Sequence, residues 1–140
     1  MKQFIQDINT KLNGNVVILG GWAKHYNGYN PDYDKHWVDV AITPESVNSI
    51  IELGIKGELQ GGHSWGEYIQ DQFIVIAGTK EARKVIDVFV VEQLPSYSEI
   101  DGLKIQTPQA DIDWHQGAYD LIGGTKLENK VSQLRTLYGL

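Results

Sequence analysis

The sequence predicts an α/β (α+β) fold in which a small mixed β-sheet is flanked by helices and followed by C-terminal helices. Three observations lead there. Short, β-branched apolar runs, Val16-Val17-Ile18-Leu19, Trp37 to Ile42 and Lys84 to Val91, have the length and composition of buried strands. Segments with apolar residues at helical spacing lie between and after them. Glycine pairs at Gly20-Gly21 and Gly123-Gly124 mark sharp changes of chain direction.

Taken in order, Phe4, Ile5, Ile8 and Leu12 recur at the spacing of one helix face, and Asn13-Gly14 supplies a C-terminal stop. The Val16 to Leu19 strand follows, and Gly20-Gly21 turns it into a short helix from Trp22 to about Asn27. Gly28 to Asp34 reads as a loop. After the Trp37 to Ile42 strand, Thr43 is placed to cap a helix whose first turn accepts Pro44 and which buries Val47, Ile50 and Ile51 before stopping near Gly54. Lys56 to Gln60 suggests a short strand, Gly61-Gly62-His63-Ser64 a turn, and Phe73 to Ala77 a clearer strand. Lys84 to Val91 is the strongest strand pattern. Leu103 to Gln106 reads as a short edge strand, and Thr107-Pro108 opens a helix carrying Ile112, Tyr119 and Leu121. In the last helix Thr125 and Glu128 have capping-box spacing, and Leu127, Val131, Leu134 and Tyr138 form one apolar stripe.

No repeat, low-complexity tract or linker divides the 140 residues, so residues 1–140 are expected to form one domain. Cysteine is absent, which removes disulfides, thiolate zinc sites and cysteine nucleophiles, and suits a reducing, cytoplasmic setting. The first twelve residues lack the apolar run of a signal peptide, and no stretch approaches the roughly 20 apolar residues that cross a bilayer. With 12 basic and 18 acidic residues the net charge is -6, so no membrane partner and no extended duplex nucleic acid is expected.

The chemistry centres on two strands. Val38-Asp39-Val40 and Ile86-Asp87-Val88 each place one carboxylate inside an apolar run. Alternation sends Val38, Val40 and Ile42, like Ile86, Val88 and Val90, to one face, and puts Asp39 with Trp37 and Ala41, and Asp87 with Val85 and Phe89, on the other. If the two strands are neighbours, the aspartates share a face. Close carboxylates repel unless a cation sits between them, and hard oxygen ligands suit Mg²⁺ or Mn²⁺. A glycine turn at a helix start, as at Gly20-Gly21, lets backbone N–H groups approach a phosphate.

The order strand, Gly-Gly, short helix, loop, strand with Asp39, helix and strand with Asp87 resembles the core of the DNA polymerase β-like nucleotidyltransferase superfamily, particularly its minimal members. The matching stretches are Leu19-Gly20-Gly21-Trp22-Ala23, His36-Trp37-Val38-Asp39-Val40 and Val85-Ile86-Asp87-Val88-Phe89. The resemblance spans roughly residues 15 to 138 and implies a nucleotidyltransferase-like sheet, a nucleoside triphosphate as ligand and Mg²⁺ (or Mn²⁺) as cofactor. It further implies that Gly20 and Gly21 meet the phosphates and that Asp39 and Asp87 are the catalytic, metal-binding carboxylates; Lys35, where the family usually has a small hydroxyl or basic residue, is compatible with phosphate contact, and Trp37 is a nucleotide-binding candidate through base stacking. The family's first metal-binding carboxylate falls on Trp37, which cannot ligate a metal. Asp34 or Asp32, in the loop before the strand, is the candidate substitute, and Lys35 or His36 is a candidate phosphate contact.

Other motifs carry blander readings. Asp111-Ile112-Asp113 has Asp-x-Asp form but lies in the first turn of a helix, where acids meet the helix dipole. Asp32-Tyr33-Asp34 lacks the rest of a calcium loop and reads as a polar turn. His25, His36, His63 and His115 show no paired ligand spacing, and Ser64 beside His63 has no nucleophile elbow around it. Trp22, Tyr26, Tyr29, Tyr33, Trp37 and Trp65 gather near the proposed cleft segments as packing residues, with Trp37 also a candidate for stacking on a base or a partner. Two functional readings therefore stand. One is a nucleotidyltransferase acting on an unknown acceptor, the other an inactive member reused as a protein-binding inhibitor, antitoxin-like partner or accessory module. An unrelated ferredoxin-like α+β domain would share the element pattern but place Asp39 far from Asp87.

Overall fold

The structure, a computed structural model, describes residues 1–55, 59–60 and 71–140. Its helices are α1 (Lys2–Lys11), α2 (Gly20–Tyr26), α3 (Val47–Ile51), α4 (Pro108–Ile122) and α5 (Thr125–Tyr138). Its strands are β1 (Val17–Leu19), β2 (Trp37–Ile42), β3 (Leu59–Gln60), β4 (Asp71–Gly78), β5 (Arg83–Val90), β6 (Tyr97–Ile100) and β7 (Leu103–Gln106). The strands form one mixed sheet in the order β3-β4-β5-β2-β1-β7-β6. β2 runs parallel to β5 and β1 parallel to β7, while the other neighbours are antiparallel.

Strand alternation creates two unequal faces. On one, Ile18, Val38, Val40, Ile42, Ile86 and Val88 pack with Ile5, Ile8 and Leu12 from α1, Trp22 from α2 and Ile50 from α3. Every one of these side chains is buried. The opposite face is smaller: Val17, Leu19, Ala41, Phe89 and Val91 meet Trp114 of α4, whose ring stands edge-on to Phe89 at 5.5 Å. Trp114 covers only part of this face. α4 and α5 then pack on each other through Ile112, Val131 and Leu134. The uncovered strip between Trp114 and α2 becomes the cleft.

Local signals explain most element ends. Asn13 and Gly14 both take left-handed conformations after α1, as the Asn-Gly stop requires. Thr107 accepts a hydrogen bond from the Ala110 amide at 3.1 Å and so caps α4, with Pro108 in its first turn.

Several expectations need correction. Thr43 makes no side-chain cap, and Pro44–Ser46 forms a 3-10 turn before α3. Thr125 lies inside α5, behind an N-cap at Gly124 that has no side-chain bond, so the capping box does not form. α2 begins at Gly20 rather than Trp22. β7 is not an edge strand: it pairs with β1 on one side and with β6, an element not foreseen, on the other. Asp101 and Gly102, both at positive φ, make the hairpin turn that joins β6 to β7. That Asp-Gly pair was the available signal. Of the segment from Lys56 to Gln60, Leu59–Gln60 forms β3; the turn expected at Gly61-Gly62-His63-Ser64, and Trp65, lie outside the described residues.

Ile18 sits on β1, between β2 and β7, with no solvent exposure. Ile18→Ala is expected to cost about 2–5 kcal/mol by urea denaturation. A loss below about 1 kcal/mol would contradict the packing described.

Candidate functional site

Asp39 lies between two neighbours set by register: Leu19 on β1 and Asp87 on β5. The parallel pairing of β2 with β5 puts Trp37 opposite Val85, Asp39 opposite Asp87 and Ala41 opposite Phe89, so both carboxylates share the less covered face. Adjacent strands lie only about 5 Å apart, so this is the closest placement a sheet allows. The unrelated ferredoxin-like alternative, which required the two to be distant, does not describe this sheet.

β1 ends at Leu19, and the chain turns through Gly20 at φ +60 into α2. A Cβ at Gly20 would stand 2.5 Å from Asp39 Oδ2, too close for any side chain. Gly21 is equally constrained, because a Cβ there would collide with the Tyr33 ring. Both glycines are thus sites of close approach, one to the carboxylate and one to the loop before β2.

That loop is held down by aromatic packing. Trp22 meets Tyr33 edge-on at 5.2 Å and donates its indole N–H to the Lys35 carbonyl at 3.2 Å. Asn30 donates to the Gly21 carbonyl at 3.2 Å, and the His25 ring contacts the Asn30 carbonyl at 3.0 Å. The Trp37 indole lies close enough to the Tyr33 hydroxyl to lower its ionisation slightly against the stronger raising effect of burial, and the Lys35 ammonium sits 5.4 Å from the Trp37 ring centre. Trp37 remains 46% exposed. The Trp37 indole therefore sits beside both Tyr33 and Lys35 at the edge of this loop.

A cleft of about 210 Å³ opens beside Asp39. Gly20, Gly21 and Lys24 line it from β1 and α2, Asp39 and Phe89 from the sheet, and Gln106, Asp111, Trp114, His115 and Lys130 from the C-terminal third. Asp111 is only 4% exposed. Its carboxylate meets Lys24 Nζ at 3.2 Å and His115 Nδ1 at 3.2 Å, and accepts a 2.5 Å hydrogen bond from the Tyr138 hydroxyl. One buried acid thus ties α2, α4 and α5 together. Asp111 does sit in the first turn of α4, as expected, but the helix-dipole reading missed its main partners. Lys24, His115 and Tyr138 are far from it in the chain or hidden in unremarkable helix sequence.

The two walls of the cleft have opposite electrostatic character. Burial, reinforced by the Asp87 carboxylate, pushes Asp39 up from 3.8 to about 6, against weaker relief from Lys24. Burial would also raise Asp111, but the His115 hydrogen bond, Lys24 and Tyr138 hold it down to about 2. Lys130 is lowered by burial and by its proximity to Lys24. Tyr138 is raised by burial and by its bond to Asp111.

The sequence candidates are therefore brought together in part. Gly20, Gly21 and Asp39 line the cleft, and Asp87 stands next to Asp39, where the Gln72 amide donates to both its oxygens at 2.9 and 3.2 Å. Lys35 and Trp37 are outside the cleft lining, and Asp32, Asp34 and His36 are exposed. Among the described residues no group of three or more His, Cys, Asp or Glu side chains is placed to hold a metal. The Asp39–Asp87 pair, whose mutual repulsion is visible in the raised Asp39, fits a single Mg²⁺ or Mn²⁺. Such an ion takes one or two carboxylates and completes its shell with water and substrate phosphates.

Two solved structures of the antibiotic-resistance factor ANT(2'')-Ia, a nucleotidyltransferase, share this arrangement of elements. The solution structure superposes with a TM-score of 0.56 over 98% of this chain and 88% of that one, at 16% identity. The crystal structure in complex with adenylyl-2''-tobramycin gives a TM-score of 0.53 over 98% and 96%, at 15% identity. The fold is nucleotidyltransferase-like. No family model and no curated protein matches the sequence. At this identity the likeness concerns the path of the chain, and the chemistry must be argued from the side chains.

Asp39 ionises at about 6 in the fold against 3.8 in isolation, so it favours folding while protonated. That contribution is complete below the unfolded value and is lost as pH rises through about 6. Asp39→Asn, with no carboxylate to ionise, should gain on the wild type between pH 4 and pH 8 by on the order of 1–3 kcal/mol in urea denaturation without divalent cations. A difference that does not change with pH would show that Asp39 ionises normally.

Proposed function

We propose that this chain binds a nucleoside triphosphate together with a divalent cation and transfers its nucleotidyl group to an acceptor hydroxyl. The observation that carries this reading is the side-by-side placement of Asp39 and Asp87 against the Gly20 turn, at the rim of a cleft whose far wall is basic. The nucleotidyltransferase-like fold supports it. In this assignment Asp39 and Asp87 hold Mg²⁺ or Mn²⁺, which when bound supplies charge neutralisation to the triphosphate. The Gly20-Gly21 backbone faces the phosphates from below. Lys24 and Lys130 face them from the α2 and α5 sides, and Asp111 positions Lys24 through their ion pair. One of the two aspartates accepts the proton of the attacking hydroxyl.

Trp37 sets this site apart from a two-metal arrangement, since it leaves two strand carboxylates instead of three. The assignment is accordingly a site for one ion that relies on phosphate oxygens to complete its coordination. Trp37 also motivated the reading of an inactive, protein-binding member. Its engagement with Tyr33 and Lys35 gives it a role inside the site's own loop. Among the described residues no helix is long and apolar enough to cross a membrane.

Isothermal calorimetry with ATP and Mg²⁺ tests the proposal. The wild-type chain should bind, and Asp39→Ala and Asp87→Ala should each weaken binding at least about tenfold, or roughly 1.4 kcal/mol. Absence of binding by the wild type, or affinity untouched by both substitutions, would reject it.

A further inference from the structure

The cleft beside Asp39 does not end at α5. His115 and Lys130 also line a second cavity, a groove of about 480 Å³ that runs along the helix and is completed by Lys126, Leu127, Asn129 and Gln133. Lys126 and Lys130 are one turn apart, as are Asn129 and Gln133, so these side chains form one polar face. The groove differs from the cleft in its charge balance. In the cleft Asp111 answers Lys24 and His115. The groove lining contains two lysines and a histidine and no carboxylate. Neither lysine has a carboxylate within ion-pair distance among the described residues, Asp111 acting on Lys130 only from farther off. A like-charged pair at this spacing weakens a helix instead of supporting it, which turns attention to a ligand. On a chain of net charge -6, a groove of this sign attracts anions and repels polycations locally.

We propose that the α5 groove is the acceptor subsite and that the acceptor is an anionic polyol, a compound carrying hydroxyls and a phosphate or carboxylate group. This rests on the nucleotidyl-transfer reading and specifies its second substrate. Lys126 binds the anionic group, Lys130 stands at the junction between that group and the nucleotide phosphates, and Asn129 and Gln133 hydrogen-bond to hydroxyls. The contiguity of the two cavities at His115 and Lys130 directs one hydroxyl toward the cleft. There its oxygen attacks the α-phosphorus of the nucleoside triphosphate, and the bond from that phosphorus to the bridging oxygen breaks. Pyrophosphate leaves with the electron pair, and the hydroxyl proton passes to a cleft carboxylate.

Backbone amide shifts of the ¹⁵N-labelled full chain test this with defined probes. Ribose 5-phosphate, gluconate, ribose and tobramycin, a polyamine, are each titrated into the nucleotide-free chain and into the chain saturated with α,β-methylene-ATP and Mg²⁺. One or both anionic polyols should shift Lys126, Asn129, Lys130 and Gln133, and which of them does so distinguishes a phosphate from a carboxylate acceptor. Ribose should be at least tenfold weaker and tobramycin should leave these amides in place. Lys126→Glu, at an exposed position outside the cleft, should weaken the anionic probe at least tenfold. The inference is overturned if neither anionic polyol shifts the groove, if tobramycin does, or if the nucleotide analogue alone shifts all four amides and so claims the groove for itself. Failure of the nucleotide reading is a separate result, seen as unshifted Gly20 and Gly21 on addition of the analogue.

Discussion

The parallel pairing of β2 with β5 sets Asp39 directly opposite Asp87, and the cleft is organised around that unfavourable juxtaposition. Two carboxylates on rigid strands cannot separate without breaking the sheet, and burial behind Gly20 removes the water that would screen them. The raised ionisation of Asp39 is the direct consequence. A pair held in this way has a standing preference for a cation, and this electrostatic tension is what the proposed metal-bound triphosphate would relieve.

The opposite wall solves the reverse problem. Lys24, His115 and Lys130 converge from three helices, and a single buried acid, Asp111, neutralises part of their charge while bonding to Tyr138. Removing one partner from such a buried group leaves the rest uncompensated, which makes the wall an interdependent unit. Its location also matters. Asp111 and Tyr138 belong to the C-terminal helices and Lys24 to the helix after the glycine turn, so the ion pair fastens the last third of the chain to the sheet at the cleft itself.

Between these walls the aromatic loop has a mechanical role. Tyr33 lies against Gly21 at a distance that excludes a side chain there, with the Trp22 ring edge-on to it and the Trp37 indole near its hydroxyl. Trp37 shares the face of Asp39 on β2 and sets its indole beside Tyr33 and Lys35.

Much of this was legible in the chain. Val38, Val40 and Ile42, and likewise Ile86, Val88 and Val90, declared their buried face by alternation alone, because a strand's side-chain period is local geometry. The same rule put Asp39 and Asp87 on the other face. Gly20-Gly21, the Thr107 cap and the Asn13-Gly14 stop were readable for the same reason, since each acts within a few residues. By contrast, β6 and the interior position of β7 depended on which strand lies beside which, and the capping roles given to Thr43 and Thr125 were displaced by neighbouring geometry. The sequence by itself determined β1, β2, β4, β5 and β7, the faces of β2 and β5, and the two acids. Only the tertiary structure decided that those acids occupy paired positions on neighbouring strands, that Asp111 turns from a helix-end charge into the hub of a basic wall, and that Trp37 stands beside Tyr33 and Lys35. These are contacts between residues tens of positions apart, whose free energy depends on burial and distance, and neither quantity is written in local sequence.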